Sequence, residues 1–297
     1  MTKENLNQFI EYIKYNEGLS QNTQKTYTNN INQYQKYLTE NNITITKENI
    51  NTTLQNFITY LTKTRHLKTT TINNYSITII KYLKFLGYNI NKYKPKKPTR
   101  TEILEKQIHY FTEPEIQELK TTIYQSENKQ KERTILLIEF MNQTGLRIHE
   151  LLNITLEEYQ EAETVHDLKV LNIVGKGNKR RIIAIKPNLQ QIINNYLKTR
   201  KKESRYIFNT NKSEQMNVRT AQRLIKNTGI KTDIRLNTDT YTKRAHAHAF
   251  RHSFAIRAIN KLSINKVQKL LGHSSISTTQ IYTNINKQEM IEAYMAL

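Results

Sequence analysis

Apolar side chains recur at helical spacing through the first ninety residues, and this pattern limits the fold more strongly than any other feature of the chain. Four stripes follow the i, i+3, i+4, i+7 spacing of a buried helical face. Their members are Leu6, Phe9, Ile10 and Ile13; Tyr27, Ile31, Tyr34 and Leu38; Leu54, Phe57, Ile58 and Leu61; and Ile72, Tyr75, Ile79, Tyr82, Leu83 and Leu86. The last two stripes predict helices over 53–62 and 70–86. We therefore expect a small antiparallel helical bundle at residues 1–90.

A short basic segment interrupts this helical pattern. Residues 91–101 contain Pro95 and Pro98, which disfavour a continuous helix. Five Lys or Arg side chains lie in the same eleven residues. We interpret residues 91–106 as a basic linker that leads to a second domain at residues 107–297.

The second domain begins with helical signals and then changes its period. Thr112 is placed to cap a helix, and Glu115 completes a capping box. Later residues alternate as strands do, and glycines lie between two such runs. The predicted elements are an acidic loop at 157–167, strands at 168–174 and 181–186, a hairpin turn at 175–178, and helices from Leu189 onward. The fold class is therefore mainly α with a small antiparallel β-sheet, in which a helical-bundle N-terminal domain precedes a mixed α+β domain.

The charge of the chain points to a polyanionic partner. Lys and Arg number 46 against 25 Asp and Glu, which gives a net charge of +21. Residues 1–100 hold 15 basic and 5 acidic side chains (net +10), whereas residues 101–297 hold 31 and 20 (net +11). The first domain is thus the more basic per residue, as expected for a clamp on nucleic acid. The basic linker is consistent both with a solvated connection and with one that follows a phosphate backbone.

Two absences narrow the function classes further. The chain has no cysteine, which excludes disulfides, thiolate zinc sites and cysteine nucleophiles. No apolar run approaches the about 18 residues that a membrane helix needs. We expect a cytoplasmic protein that makes no membrane contact.

Four separated segments contain residues suited to chemistry. In the first, Gly145 ends a helix and Arg147 opens the next, with Glu150 on the same helical face. Taken alone, this pair is more consistent with a structural ion pair. In the second, Lys176 lies between two glycines of the predicted hairpin. A lysine at a hairpin tip is usually a solvated charge, although beside a phosphate it could donate a proton to a leaving oxygen.

The third segment places His248 and Arg251 on one helical face. Because His248 and His252 are spaced i, i+4, a metal site must be weighed. The glutamate of a zinc-protease helix is missing between them, and Arg251 would repel a cation. We therefore expect no metal and no other cofactor. His252, which lies between two phenylalanines, fits a buried structural histidine.

The fourth segment runs from Gly272, which is predicted to end a helix, through His273 to Tyr282. Tyr282 is one of 18 tyrosines, so taken alone it is more consistent with packing than with reactivity.

Together, the four segments supply what phosphodiester transfer by a tyrosine needs. Two arginines can hold the non-bridging oxygens and neutralise the charge of the transition state. A phenol with an ordinary pKa of about 10 needs help to lose its proton at neutral pH, and either a histidine or the positive field of the arginines can give that help. A lysine can protonate the departing 5′ oxygen, and no step requires a metal.

The order and spacing of these segments resemble the tyrosine recombinases, and are most similar to Xer recombinases and short phage-type integrases. TGLRIHELLNIT is similar to their first arginine box, GKGNKRR to their lysine hairpin, HAFRHSFA to their His-x-x-Arg box, and LLGHSSISTTQIYT to the segment that ends at their nucleophile. The resemblance covers about residues 111–283 and, more loosely, residues 18–23.

The resemblance implies a role for each residue. Arg147 and Arg251 would bind the scissile phosphate, and Lys176 would be the general acid. His248 and His273 would hydrogen-bond the phosphate, and Tyr282 would attack to form a 3′-phosphotyrosine. Glu150 would orient the helix that carries Arg147, and His252 would also hold the catalytic groups without contacting the phosphate. Further DNA contacts are expected at Lys94, Lys96, Lys97, Lys179 and Arg180.

The resemblance also implies an architecture and partners. The bundle would act as a core-binding domain, and residues 107–297 would be a tyrosine-recombinase catalytic domain with a C-terminal tail helix. That tail, residues 287–297, would pack on its own subunit or on a neighbour. The protein, a monomer or weak dimer when free, would form a homo-tetramer on duplex DNA with two paired recombination sites.

Several functions are consistent with this pattern. The first is Xer-like resolution of chromosome or plasmid dimers by site-specific recombination. Integration or inversion of a mobile element would use the same chemistry, and so would a type IB topoisomerase. A DNA-binding protein without catalysis is the alternative from another class, against which the full set of six catalytic residues argues.

Overall fold

The chain divides into two units with separate hydrophobic cores, residues 1–107 and 108–297. The computed structural model describes residues 2–91, 95–97, 109–127, 129–175, 180–200 and 202–272. In those residues the fold is mainly helical with one small antiparallel sheet, which confirms the fold class expected from the sequence.

Four helices form the first unit. They are α1 (Lys3–Tyr15), α2 (Gln21–Glu40), α3 (Ile50–Lys63) and α4 (Thr69–Phe85). Gly18 adopts the left-handed conformation (φ 62°) between α1 and α2, and Ser20 caps α2 by accepting a hydrogen bond from the backbone N–H of Thr23. The third helix begins three residues earlier than its apolar stripe predicts.

Aromatic side chains fill the core of this unit. Phe9 of α1 packs on Tyr82 of α4, with ring centroids 5.1 Å apart, and Tyr34 of α2 packs on Phe57 of α3 at 4.9 Å. All four rings are almost fully buried, so replacing one by alanine would cost about 3–5 kcal/mol. The apolar stripes therefore do face one core, as their spacing predicts.

The segment that follows α4 is attached to that helix through its backbone. The Asn73 side chain accepts a hydrogen bond from the Lys96 N–H (3.1 Å) and donates one to the Lys96 carbonyl oxygen (2.8 Å). Lys96 and Lys97 are both exposed.

The second unit contains nine helices and three strands in the residues described. They are α5 (Glu113–Gln125), α6 (Lys131–Thr144), α7 (Ile148–Leu152), α8 (Leu156–Gln160), β1 (Glu163–Val165), β2 (Leu168–Val174), β3 (Arg180–Ile185), α9 (Pro187–Thr199), α10 (Val218–Leu236), α11 (Thr240–Arg244), α12 (Ala247–Ile259) and α13 (Ile264–Leu271). The capping box of Thr112 and Glu115 forms at the start of α5, as predicted.

Helix α6 is the centre of the second unit. Its residues 134–142 are all buried, polar ones included, and it packs against α9, α10, α12 and β3. A helix that is buried on every side must be surrounded by other elements. The C-terminal end of α6 is therefore fixed inside the unit, and the turn at Gly145 starts from a rigid point.

The acidic segment 157–167 is not a loop, contrary to our expectation. Thr155 and Glu158 form a capping box that starts α8, and β1 pairs antiparallel with β2. His166 and Asp167 both have positive φ (47° and 64°), which makes the two-residue turn that a tight hairpin needs. The acidic composition suggested a loop, although the sequence also contains a helix-capping signal and a turn.

The sheet has the strand order β1-β2-β3, and all its pairs are antiparallel. Val174 pairs with Arg180 at one end of the β2–β3 ladder, and Lys169 pairs with Ile185 at the other. β3 begins one residue earlier than predicted. Its side chains alternate, so that Ile183 and Ile185 are buried while Ile182 is exposed.

Candidate active site

The turn between α6 and α7 brings the first predicted arginine to the candidate site. Gly145 adopts a left-handed conformation (φ 63°) that favours glycine, and a Cβ at this position would overlap the ring of Phe254. Arg147 then occupies the N-cap position of α7. Its side chain is 23% exposed, so the guanidinium can still reach solvent or a ligand.

Glu150 lies beneath Arg147 as a fully buried carboxylate. It accepts hydrogen bonds from the Arg147 backbone N–H (2.8 Å) and from Arg147 Nη1 (3.0 Å). It also accepts two from Arg181, from Nη1 at 3.0 Å and Nη2 at 2.6 Å. Burial by itself would raise the pKa of Glu150, but hydrogen bonds from Arg181 and Arg147 outweigh it and hold the pKa at about 2. The carboxylate is therefore charged at neutral pH.

Arg251, on the first half of α12, is only 3% exposed. Its guanidinium donates one hydrogen bond to the carbonyl oxygen of Gly145 and another, of 2.6 Å, to that of Leu271. These bonds join the α6–α7 turn, α12 and the end of α13. The second predicted arginine is thus held by main-chain acceptors beside the turn that presents Arg147.

His248 lies one helical turn before Arg251 on α12. Burial first, and then the positive charges of Arg251 and Arg147 and the ring of His149, lower the pKa of His248 below its usual 6.5. His248 and Arg251 are three residues apart on α12 and therefore share one helical face. With its pKa lowered, the imidazole of His248 is neutral at neutral pH and able to accept a proton or a hydrogen bond.

His252 lies one turn further along α12, with its ring 6.3 Å from that of His248. Burial and the neighbouring His248 lower the pKa of His252 to about 4. His252 is half-buried rather than fully buried as its sequence context suggested. In the part of the chain that the structure describes, no three His, Asp or Glu side chains are arranged to hold a metal ion.

Several predicted site residues lie outside the described residues: Lys94, Lys176, Lys179, His273 and Tyr282, together with the tail 287–297. Described residues do adjoin the segments of Lys176 and His273. Gly175 and Arg180 flank the Lys176 hairpin, and Gly272, which ends α13 in a left-handed conformation (φ 63°), directly precedes His273.

A cleft of about 1040 Å³ opens between β3 and α13. Its walls include Arg180, Ile182, Lys266 and Lys269, and its edge includes both Gly175 and Gly272. The cleft therefore lies where the chain enters two of the predicted catalytic segments, and its cations favour an anionic occupant.

Arg181 is the residue that sequence reasoning missed. It lies on the β3 face that carries Ile183 and Ile185, and its side chain is only 8% exposed. Its period-two spacing from two inward isoleucines was the available signal, since it places a charge on the buried face where a partner is needed.

Comparison with known proteins identifies the family. Residues 109–289 match the phage integrase family, and residues 6–88 match the N-terminal SAM-like domain of phage integrases. The chain is 30% identical to tyrosine recombinase XerA of Pyrococcus furiosus, over 99% of this chain and 93% of that protein. It is 28% identical to tyrosine recombinase XerC of Pediococcus pentosaceus, over 96% of this chain and 95% of that protein.

Solved structures show the same fold. The XerH site-specific recombinase in a post-cleavage complex with palindromic difH substrate superposes with a TM-score of 0.75 at 20% identity, over 97% of this chain and 83% of that one. The Tn1549 transposon integrase bound to transposon right-end DNA gives 0.70 at 16% identity, over 98% of both chains.

The chain belongs to the phage integrase family of tyrosine recombinases. It is an Xer-like, site-specific recombinase, an enzyme that cleaves and rejoins duplex DNA. No helix among the described residues is long and apolar enough to cross a membrane.

Proposed function

We propose that Tyr282 is the nucleophile and that Arg147 and Arg251 bind the phosphate it attacks. The phenolic oxygen bonds to phosphorus as the bond from phosphorus to the 5′ oxygen breaks. His248 accepts the phenolic proton, and Lys176 donates a proton to the leaving 5′ oxygen. The products are a 3′-phosphotyrosine and a free 5′ hydroxyl, and attack by another 5′ hydroxyl reverses the step. The covalent bond retains the energy of the phosphodiester, so rejoining needs no ATP.

One observation carries this proposal. Arg147, His248 and Arg251 come from two segments that are far apart in sequence, yet they converge beside the Gly145 turn. The neutral His248 is suited to accept a proton, and the ionised Glu150 holds the Arg147 side chain in place. Cations that converge in this way stabilise a pentacoordinate phosphorane better than its tetrahedral ground state. His273 completes the set as a further donor to the phosphate.

Covalent trapping tests the nucleophile. A duplex nicked a few nucleotides 3′ of the scissile phosphate loses the short fragment that carries the new 5′ hydroxyl, so rejoining cannot occur and the adduct accumulates. We expect a denaturant-stable protein–DNA adduct from the wild type and none from Tyr282→Phe. The adduct should block the 3′ end and leave a 5′ hydroxyl that polynucleotide kinase labels directly. No adduct from the wild type, or an equal one from Tyr282→Phe, would contradict the proposal.

We further propose that the reaction resolves dimers of a circular chromosome or plasmid, which places it in the cytoplasm. Supporting this, the chain aligns with XerA and XerC relatives along almost their whole lengths. Two protomers on each of two sites would exchange strands as a homo-tetramer, the protein being monomeric or weakly dimeric when free. Integration or inversion of a mobile element remains the alternative within the same chemistry.

Mapping the adducts on genomic DNA separates these roles. Fragments retained after denaturation and sequenced from their blocked 3′ ends should converge on one site per chromosome or plasmid. Convergence on the ends of a mobile element would instead identify an integrase. Relaxation of a supercoiled plasmid that lacks the site would identify a topoisomerase.

The remaining predicted contacts would supply sequence-independent affinity. Lys96, Lys97 and Arg180 are exposed. Together with Lys94 and Lys179, they would neutralise backbone phosphates. Replacing any one by glutamine should reduce the slope of log affinity against log salt by about 1.

A further inference from the structure

Arg181 makes a bidentate ion pair with Glu150, at 3.0 and 2.6 Å, and through that carboxylate it contacts Arg147. The three side chains form a row from β3 to the start of α7. The carboxylate is fully buried and the Arg181 side chain is 8% exposed. The Glu150–Arg181 pair is therefore part of the interior of the protein, while Arg147 at the end of the row reaches solvent.

Such a buried pair is an expensive way to stabilise a fold. Two charges must leave water, and well-packed apolar residues of similar volume often stabilise a protein equally or better. Within the described part of the chain, moreover, the buried Arg181 Nε has no hydrogen-bond partner, which adds a desolvation cost of about 1–3 kcal/mol. A role in stability alone explains this arrangement poorly.

The position of Arg181 suggests what it does instead. It follows the Lys176 hairpin at the start of β3, where Ile173 is its cross-strand partner. It also lies against Gly272: a Cβ on that residue would be 3.0 Å from both Cδ and Nη1 of Arg181. One side chain, on the strand that follows Lys176, thus contacts Glu150, which holds Arg147. The same side chain lies beside Gly272, the residue before His273.

We propose that Arg181 is a positioning residue, which holds Arg147 through Glu150 in register with the start of β3 and the end of α13. The inference rests on the proposed function, because it concerns the same phosphate site. Arg181 itself is too buried to touch DNA. Its effect is on the rate of cleavage and not on DNA affinity.

The first test measures adduct formation in a single turnover at saturating nicked duplex. Arg181→Gln should form the adduct about 10–100-fold more slowly, because a small misplacement of Arg147 loses transition-state contacts. Its DNA affinity should stay within about twofold of wild type, since many other cations supply the nonspecific term. Arg181→Lys keeps the charge and one hydrogen bond, so its rate of adduct formation should lie between those of the wild type and Arg181→Gln.

Two neighbouring variants serve as comparisons. Lys186→Gln removes one exposed positive charge just after β3 and should match the wild type. Arg180→Gln removes the exposed charge next to Arg181 on the opposite face, and should weaken DNA binding with a shallower salt dependence. The opposite behaviour of two adjacent arginines would be hard to explain by charge alone.

A substrate with a methylphosphonate at the scissile position distinguishes a misplaced Arg147 from a general structural defect of the site. This phosphorus is uncharged, so Arg147 has no anionic oxygen to neutralise there. The relative defects of Arg147→Gln and Arg181→Gln should both shrink on this substrate. A merely structural defect would persist unchanged on it.

The outcomes are distinct. Wild-type cleavage rates in both Arg181→Gln and Arg181→Lys, measured on folded protein, would overturn the inference and leave the proposed function intact. A defect of unchanged size on the methylphosphonate would also overturn it. If Arg181→Gln does not fold, Arg181→Lys decides by the same readouts. Failure of the wild type to form any adduct would overturn both proposals.

Discussion

The main chain at Gly145 passes directly against the ring of Phe254, so close that a Cβ on Gly145 would overlap the ring. This contact fixes the turn between α6 and Arg147 from the side of α12. The α6–α7 turn is therefore held both by its own backbone conformation and by an aromatic ring on the helix that carries His248 and Arg251.

Gly145→Ala should destabilise the second unit by about 2–5 kcal/mol, because it adds backbone strain of about 1–2 kcal/mol to an overpacking cost of about 1–3 kcal/mol. Gly18→Ala is the matched control. Gly18 has nearly the same φ (62°), but its Cβ would meet nothing within 4 Å. Urea unfolding of both variants measures the difference. Equal losses would show that the Phe254 contact contributes nothing.

Arg251 and Arg147 should differ in their effect on stability. Arg251→Lys leaves at least one buried carbonyl, of Gly145 or Leu271, without its donor, which costs about 1–3 kcal/mol. Arg147→Gln should cost less, since Glu150 keeps Arg181 and the Arg147 backbone N–H. Both variants should lose covalent adduct formation while retaining most DNA binding. Thermal unfolding and a binding titration check this, and a larger destabilisation by Arg147→Gln would contradict it.

The stability of the protein should depend on Glu150 in acid. The charged groups that contact its carboxylate are Arg147 of α7 and Arg181 of β3. Its folded pKa of about 2 lies below the usual 4.5, so its contribution is present above about pH 4.5 and is lost as pH falls toward 2. Glu150→Gln should therefore show a shallower loss of stability over that range, as followed by urea unfolding at several pH values.

Asp233 offers a matched control for this prediction. It is also buried with a pKa of about 2, because hydrogen bonds from Thr242, Thr238 and Tyr241 outweigh its burial. Asp233→Asn should flatten the acid dependence in the same way without slowing cleavage, whereas Glu150→Gln should slow it. Equal cleavage rates in the two variants would count against a role for Glu150 at the site.

Cleavage should depend on the protonation of His248. Burial and the charges of Arg251 and Arg147, with His149 nearby, lower its pKa below 6.5. A neutral imidazole that accepts the phenolic proton is active above that lowered pKa, so the rate should fall as pH falls through it. His248→Gln should be slower at neutral pH and should lose this acidic limb. Single-turnover rates against pH measure both effects, and an unchanged acidic limb in His248→Gln would assign it to another group.

The sequence predicted most of the helices because their signals are local. The stripe from Leu6 to Ile13 faces the core, and Ser20, Thr112 and Gly145 act at helix ends as their residue types indicate. The prediction of a loop at the acidic segment 157–167 was wrong, because that segment contains most of α8 and all of β1. The acidic composition of the segment favours a loop, but the capping box at Thr155 and the tight turn at His166 determine its structure.

The candidate site was predictable only in part. The spacing of His248 and Arg251 on one helix is local and could be derived, but their convergence with Arg147 depends on how α6 and α12 pack. Arg181 was missed because its partner, Glu150, lies on another element and no sequence pattern links the two. Long-range charge pairs require the fold before they can be identified.

Arg251 donates its hydrogen bonds to carbonyl oxygens, and every amino acid has one. The hydrogen bond at position 271 consequently survives exchange of the buried Leu271 for another apolar residue, since the main-chain acceptor stays in place. Glu150 has less freedom, because three of its four hydrogen bonds come from two particular guanidinium groups. Among related sequences, the residue at position 271 should therefore vary independently of Arg251. Substitutions at Glu150 should be accompanied by substitutions at Arg147 and Arg181.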